Sequence, residues 1–152
     1  MSSKVAITFV EARVFSHATE DWNKVQKAME NLVTQDFLQG SDVERQDLQG
    51  YYGNPITLLK VRSHEHQQSL GVVRRIFSSL TPIDRNHLLD SFRDQMDENR
   101  SLYVRFDKQA AFLGNLRLGE EDVIRLQIKL SLPKKKTGEI EEAFRRIIAA
   151  EF

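Results

Sequence analysis

The chain has 152 residues, 22 of them Lys or Arg and 22 Asp or Glu, with 40% hydrophobic residues and no cysteine. This composition excludes a disordered chain and suits one folded domain over residues 1–152 with a core of its own. Zero formal net charge excludes a molecule-wide field for polyanions, so any nucleic-acid binding must come from a local, salt-sensitive patch. The missing cysteines exclude disulfides, thiolate metal sites and a cysteine nucleophile, and they fit a reducing cytosol.

Residues 4–15 are rich in Val, Ile, Phe and Thr and read as a strand; Glu11 and Arg13 make the stretch too charged for a secretory or membrane segment. Val5, Ile7 and Phe9 share one face, whereas Val10, Ala12 and Val14 share the other. Such a switch predicts a bulge, or a strand buried on both sides. A helix follows, with Thr19 as its expected N-cap and Glu20 and Asp21 at its positive end. Trp22, Val25, Met29 and Leu32 recur at helical spacing, so Trp22 reads as core packing rather than as a stacking platform.

Residues 42–49 form a weak strand, "GYYGNP" is turn chemistry, and "ITLLKVR" (56–62) is a clear strand, which together predict a hairpin around 50–55. Ser63 is the expected cap of the next helix, striped by Leu70, Val73, Phe77 and Leu80. Another helix starts with Thr81 as cap, Pro82 at its first position and Asp84 near the dipole, and buries Leu88, Leu89, Phe92 and Met96.

The last third alternates most strictly. Leu102, Val104 and Phe106 interleave with Tyr103 and Arg105; Ile124, Leu126, Ile128, Leu130 and Leu132 interleave with Arg125, Gln127, Lys129 and Ser131. A two-residue period buries one face and wets the other. Between these strands, "FDKQAAFLG" (106–114) predicts one short helix: Asp107 caps it, Gly114 is its left-handed stop, and Phe112 or Leu113 pins it to the core. Lys108 and Gln109, in its first turn, are expected to face outward. A final helix carries Thr137 as cap and Ile140, Ala143, Phe144, Ile147 and Ile148 on its apolar side. The order β-α-β-β-α-α-β-β-α points to an α+β fold, an antiparallel sheet with helices packed on one face.

Catalytic signals are weak. His64 and His66 fall on two faces without a third ligand, His17 before a helix can hold a phosphate or a backbone carbonyl, and His87 reads as exposed. Glycine-rich phosphate loops and nucleophile motifs are absent from the sequence, so no enzyme, metal or cofactor is expected. The wet face of the C-terminal strands is a better candidate. It displays Tyr103, Arg105, Arg125, Gln127 and Lys129 without one acid, with Arg117 expected to project the same way between Leu116 and Leu118, and Lys134, Lys135 and Lys136 at one end. Basic groups grip phosphates, and tyrosine rings stack on bases. The ordinary alternative is the polar outside of any half-exposed sheet.

"HATED" (17–21), "GYYGNPI" (50–56) and "LYVRFDKQAAFLGNLRL" (102–118) followed by "DVIRLQIKL" (122–130) lie in matching order along the chain. Together they resemble the archaeal RNA-binding proteins described as predicted exosome subunits. The resemblance implies a fold like that of the ribosomal protein that binds 5S rRNA, archaeal origin, a link to RNA processing, RNA as ligand, and exosome- or ribosome-related proteins as partners. It supplies no catalytic residues. Under it, "FDKQAAFLG" becomes a rim element holding Lys108 and Gln109 beside Arg105 and Arg117, with Tyr51, Asn54 and His17 as neighbours. A protein-interaction subunit that docks through the same face is the alternative, and a metal-dependent nuclease is the least supported reading.

Overall fold

The computed structural model describes residues 6–50, 52–131 and 137–152, and leaves the side chain of Thr137 aside. In chain order the elements are β1 (Ala6–His17), α1 (Trp22–Val33), α2 (Gln35–Gln39), β2 (Asp42–Gln49), β3 (Pro55–Ser63), α3 (His66–Ser78), α4 (Pro82–Ser91) with a 3-10 turn at Phe92–Gln95, β4 (Ser101–Asp107), α5 (Lys108–Phe112), β5 (Val123–Ser131) and α6 (Thr137–Ile148). The strands form one antiparallel sheet in the order β2-β3-β1-β5-β4. The expected α+β order is present, with α2 and the 3-10 turn as small additions.

β1 is the centre of the sheet, and its apolar side does switch. The register with β5 shifts between Ile7 and Phe9, so a bulge returns Ile7 to the same side as Val10, Ala12 and Val14, all buried. Those residues meet Leu59 and Val61 of β3 and Ile124, Leu126 and Ile128 of β5 on the helix-covered face. From the other side come Val25, Met29 and Leu32 of α1, Val73, Ile76 and Phe77 of α3, and Ile140, Phe144 and Ile148 of α6. Trp22 is half-buried against this core, with the Arg45 guanidinium 4.5 Å from its ring centre.

Helix ends show where local signals compete. Asp21, not Thr19, caps α1 by accepting from the Asn23 N–H, and Glu65, not Ser63, caps α3 by accepting from the Gln68 N–H. Both expected caps lie two residues too early; a carboxylate nearer the first turn also gains from the helix dipole. Thr81 caps α4 with Pro82 in its first turn, as expected. The C-terminal carbonyls are held by two arginines. Arg75 donates to the Leu32 and Asn31 oxygens at the end of α1, and Arg85 to the Phe77 and Ile148 oxygens at the ends of α3 and α6.

The "FDKQAAFLG" stretch folds as its residues require. The Asp107 carboxylate accepts from the Ala110 N–H at 2.8 Å, and Gly114 takes φ +88°, where an L side chain would be strained. Ala111 is buried, Phe112 packs half-buried against the core, and the Asn31 amide caps the far end by donating to the Ala111 and Phe112 oxygens. Leu113 is not an anchor; it is 72% exposed. Asp107→Ala is expected to lower stability in urea denaturation by about 1 kcal/mol, whereas Asp107→Asn, which keeps the cap acceptor, should recover most of that loss.

Candidate nucleic-acid interface

Directly paired residues of antiparallel strands share a face. The pairings Arg105↔Arg125, Arg125↔Arg13 and Arg13↔Lys60 therefore set four cations in one row across four neighbouring strands on the side away from the helices. Glu44, paired with Lys60, ends the row on β2. The next row runs Tyr103, Gln127, Glu11, Arg62 and Asp42, and Lys129 shares the face one row further on, opposite Phe9 and Ser101. Phe15, 42% exposed, lies on the same face toward the opposite end. The sequence reading of Tyr103, Arg105, Arg125, Gln127 and Lys129 as one wet surface thus matches their placement.

The charge on this face is not bare. Glu11 is buried at its centre and pairs with Arg13 at 2.9 Å and Arg62 at 3.7 Å; Arg62 also reaches Glu44 at 3.0 Å. Among the described residues, no carboxylate lies within 4.0 Å of Arg105, Arg125, Lys60 or Lys129. Arg125 lies 4.8 Å from the Tyr103 ring centre, and its Nε is buried without a hydrogen-bond partner. The Tyr103 hydroxyl donates to Asp97 Oδ2 at 2.8 Å. Burial and the neighbouring carboxylate push the Tyr103 phenol above its ordinary value. Burial alone would raise the Asp97 carboxyl, but the Ser101 N–H, the Tyr103 hydroxyl and the Asn99 N–H outweigh it and hold that carboxyl below the usual range.

Two expected members of the surface are elsewhere. Lys108 does not face outward: it is 2% exposed, and its Nζ donates to the Phe15 carbonyl at 2.7 Å and to Glu20 at 2.8 Å, and pairs with Asp122 at 2.8 Å. The cap at Asp107 turns the first residue of α5 back under the sheet rim, where an ammonium with three ligands replaces an exposed charge. Arg117 does not join the sheet face either; its Nε donates to the buried Asp84 at 3.1 Å, and Asp84 also accepts from the Leu118 N–H. The chain bridges β4 through the Phe106↔Leu118 pair, which carries Arg117 toward α4.

The remaining positions spread along the rim. His17 is exposed, 4.0 Å from Glu20, and Gln109 is exposed near Asp122 at 3.5 Å. His17, Glu20 and Asp122 lie close enough together for a cation, and the Lys108 ammonium already sits on both carboxylates. Asn54 is exposed in the β2–β3 turn, its carbonyl accepting from the Gly50 N–H at 2.6 Å. Tyr51, Lys134, Lys135 and Lys136 lie outside the described residues. Gln109 and Arg117 line a cleft of about 740 Å³ with Arg75, Thr81 and Asn115 on the helix side of the rim. A second cleft of about 390 Å³ runs between α4 and the edge of β4, from Ile83 and His87 to Tyr103 and Arg105.

Arg13, Lys60 and Arg62 are the members that sequence reading passed over. Their signal was present: once Val10, Ala12 and Val14 are taken as inward, Glu11 and Arg13 must be outward, and Leu59 and Val61 expel Lys60 and Arg62 by the same rule.

A family described by RNA binding matches residues 9–130. The chain belongs to this RNA-binding family. It is 33% identical over 145 residues to the RNA-binding protein PAB1135 of Pyrococcus abyssi, covering 93% of this chain and 94% of that protein. It is also 33% identical over 132 residues to the uncharacterized protein MJ0213 of Methanocaldococcus jannaschii, covering 83% and 87%. Among solved structures, protein AF2318 from Archaeglobus fulgidus superposes with a TM-score of 0.80 at 27% identity, over 93% of this chain and 99% of that one. Mth689 from Methanothermobacter thermautotrophicus superposes at 0.75 with 29% identity, over 94% and 98%. These relatives are archaeal and match nearly end to end, as the segments around "FDKQAAFLG" imply.

Two outcomes follow for the rim and the Tyr103 pair. Lys108→Met should cost about 3 kcal/mol in urea denaturation, because it strands Glu20 and Asp122 beside an apolar side chain; the partial exposure of both acids keeps the loss at the low end for a buried pair. For Asp97, whose folded carboxyl is held low, the stabilisation is present above the ordinary aspartate range, about 3.9, and is lost as pH falls through the lower folded value. Asp97→Asn should therefore be less stable than wild type at neutral pH, and the difference should shrink in acid denaturation series below about pH 4.

Proposed function

We propose that this chain binds RNA without catalysis through the open face of its sheet, as an accessory to RNA processing or degradation. The observation that carries the reading is the row Lys60, Arg13, Arg125 and Arg105, set by strand register on the face away from the described helices. Strands about 4.8 Å apart spread the row over about 14 Å, so it can meet more than one phosphate of a single nucleic-acid strand. Tyr103, with Arg125 over its ring, and the exposed Phe15 offer π-faces on which bases can stack. Glu11 and the β2 acids keep the field local, which favours contact binding over long-range attraction. The processing role rests on the family likeness rather than on the geometry.

The test is fluorescence anisotropy with labelled RNA over a range of salt. Replacing Lys60, Arg105 and Arg125 with alanine should weaken binding at low salt and flatten the log–log salt slope by about 2 units, from about 0.7 per phosphate contact on a single strand. Arg145→Ala with Arg146→Ala, on the exposed side of α6, should leave both unchanged. Unchanged binding in the triple variant removes this face from the interaction. A protein partner that co-purifies with the triple variant after nuclease treatment would favour a protein interface instead.

A further inference from the structure

We infer that the cleft between α4 and β4 seats one unstacked base of single-stranded RNA, read by the Tyr103 carbonyl and the Arg105 N–H. This rests on the open-face reading and extends it over the edge of the sheet. β4 is an edge strand, and alternate residues turn their N–H and C=O away from β5. At one end the outward groups of Ser101 are taken: its carbonyl accepts from the Asp97 N–H at 3.0 Å, and its N–H donates to Asp97 Oδ1 at 2.9 Å. At the other end the Arg105 carbonyl accepts from the Gly119 N–H at 3.0 Å, and the Asp107 N–H donates to the Arg117 carbonyl at 2.8 Å. Tyr103 lies between these two bridged stretches. Its N–H turns to the Gln95 side in the Met96↔Leu102 bridge, whereas its C=O and the Arg105 N–H have no partner across the edge among the described residues, and both border the cleft.

The shape of the gap selects its occupant. Bridges at Met96↔Leu102 and Phe106↔Leu118 close the edge on each side, so a peptide strand cannot run along β4. What fits is a compact planar group with a donor beside an acceptor, which is what base edges present. The walls suit a ring: Ile83, 77% exposed, and Leu88 come from α4, and Leu118 from the bridging segment. His87 and Gln95 add polar groups. At the mouth stand Arg105, the last cation of the open-face row, and Tyr103 itself. A strand whose phosphates follow the row reaches β4 with its next base at the opening.

The probes are a labelled oligouridylate decamer, an oligoadenylate decamer and an abasic ribose–phosphate decamer of the same charge. Wild type should bind at least one base-bearing decamer about 10-fold more tightly than the abasic one, the scale of one seated base. Ser91→Phe, which fills the cleft, should cut the preference for base-bearing over abasic RNA by about 10-fold without changing the salt slope. The alanine variant of Lys60, Arg105 and Arg125 should instead weaken all three. Amide hydrogen exchange supplies a readout in unaltered protein: the Arg105 N–H should be slowed by base-bearing RNA and not by the abasic decamer. Binding by wild type without base preference, a preference undiminished in Ser91→Phe, or an Arg105 amide indifferent to RNA each overturns the inference while leaving the cation row standing. Failure of wild type to bind any of the decamers overturns both.

Discussion

Strand register governs this molecule. Each side chain in an antiparallel sheet has a choice of two faces, and β1, paired on both sides, makes that choice for its neighbours. Because Val10, Ala12 and Val14 turn toward the helices, Glu11 and Arg13 turn away, and pairing forces Lys60, Arg62, Arg125 and Gln127 to the same side. The bulge between Ile7 and Phe9 is what makes this consistent with an apolar start to the strand. A slip of one residue in β1 would bury the cations and expose the core, so the open face and the core are specified by one constraint.

The cations of the chain divide between two kinds of work. Arg75 and Arg85 hold helix-end carbonyls, Arg117 holds Asp84, and Lys108 is enclosed by Phe15, Glu20 and Asp122. The last is the costliest arrangement, since a buried ammonium is tolerated only when its partners replace water. It ties the end of β1, the turn before α1, the start of α5 and the approach to β5 into one rim. The distinctive "FDKQAAFLG" stretch is thus a structural joint, and it leaves only Gln109 of its polar residues in the open.

The open face keeps cations of both kinds: Arg13 and Arg62 hold Glu11, whereas Lys60, Arg105, Arg125 and Lys129 have no carboxylate within 4.0 Å among the described residues. Its acids are few and placed deliberately by pairing: Glu11 at the centre anchors Arg13 and Arg62, and Glu44 closes the β2 side. Toward β4 the balance tips to Arg105 and Arg125, beside the Tyr103 ring. Tyr103 belongs to three settings at once: its ring meets Arg125, its hydroxyl meets Asp97, and its backbone borders the cleft against α4. A chain of zero net charge can thereby present a basic strip to a partner without being basic overall.

By itself the sequence determined the elements, the inward residues of the alternating strands, the Asp107 cap with its Gly114 stop, and the family. These depend on spacing and on residue conformational preference, which are local. It also placed Tyr103, Arg105, Arg125 and Lys129 on one surface, because two strict alternations need only a common core. Tertiary structure decided the rest. Arg13 and Lys60 entered the row through pairing between strands about forty residues apart in sequence, and Lys108 and Arg117 left it for Glu20, Asp122 and Asp84. Whether a cation faces water or a carboxylate depends on which acids the fold brings within about 4 Å of it, and neither periodicity nor propensity carries that distance.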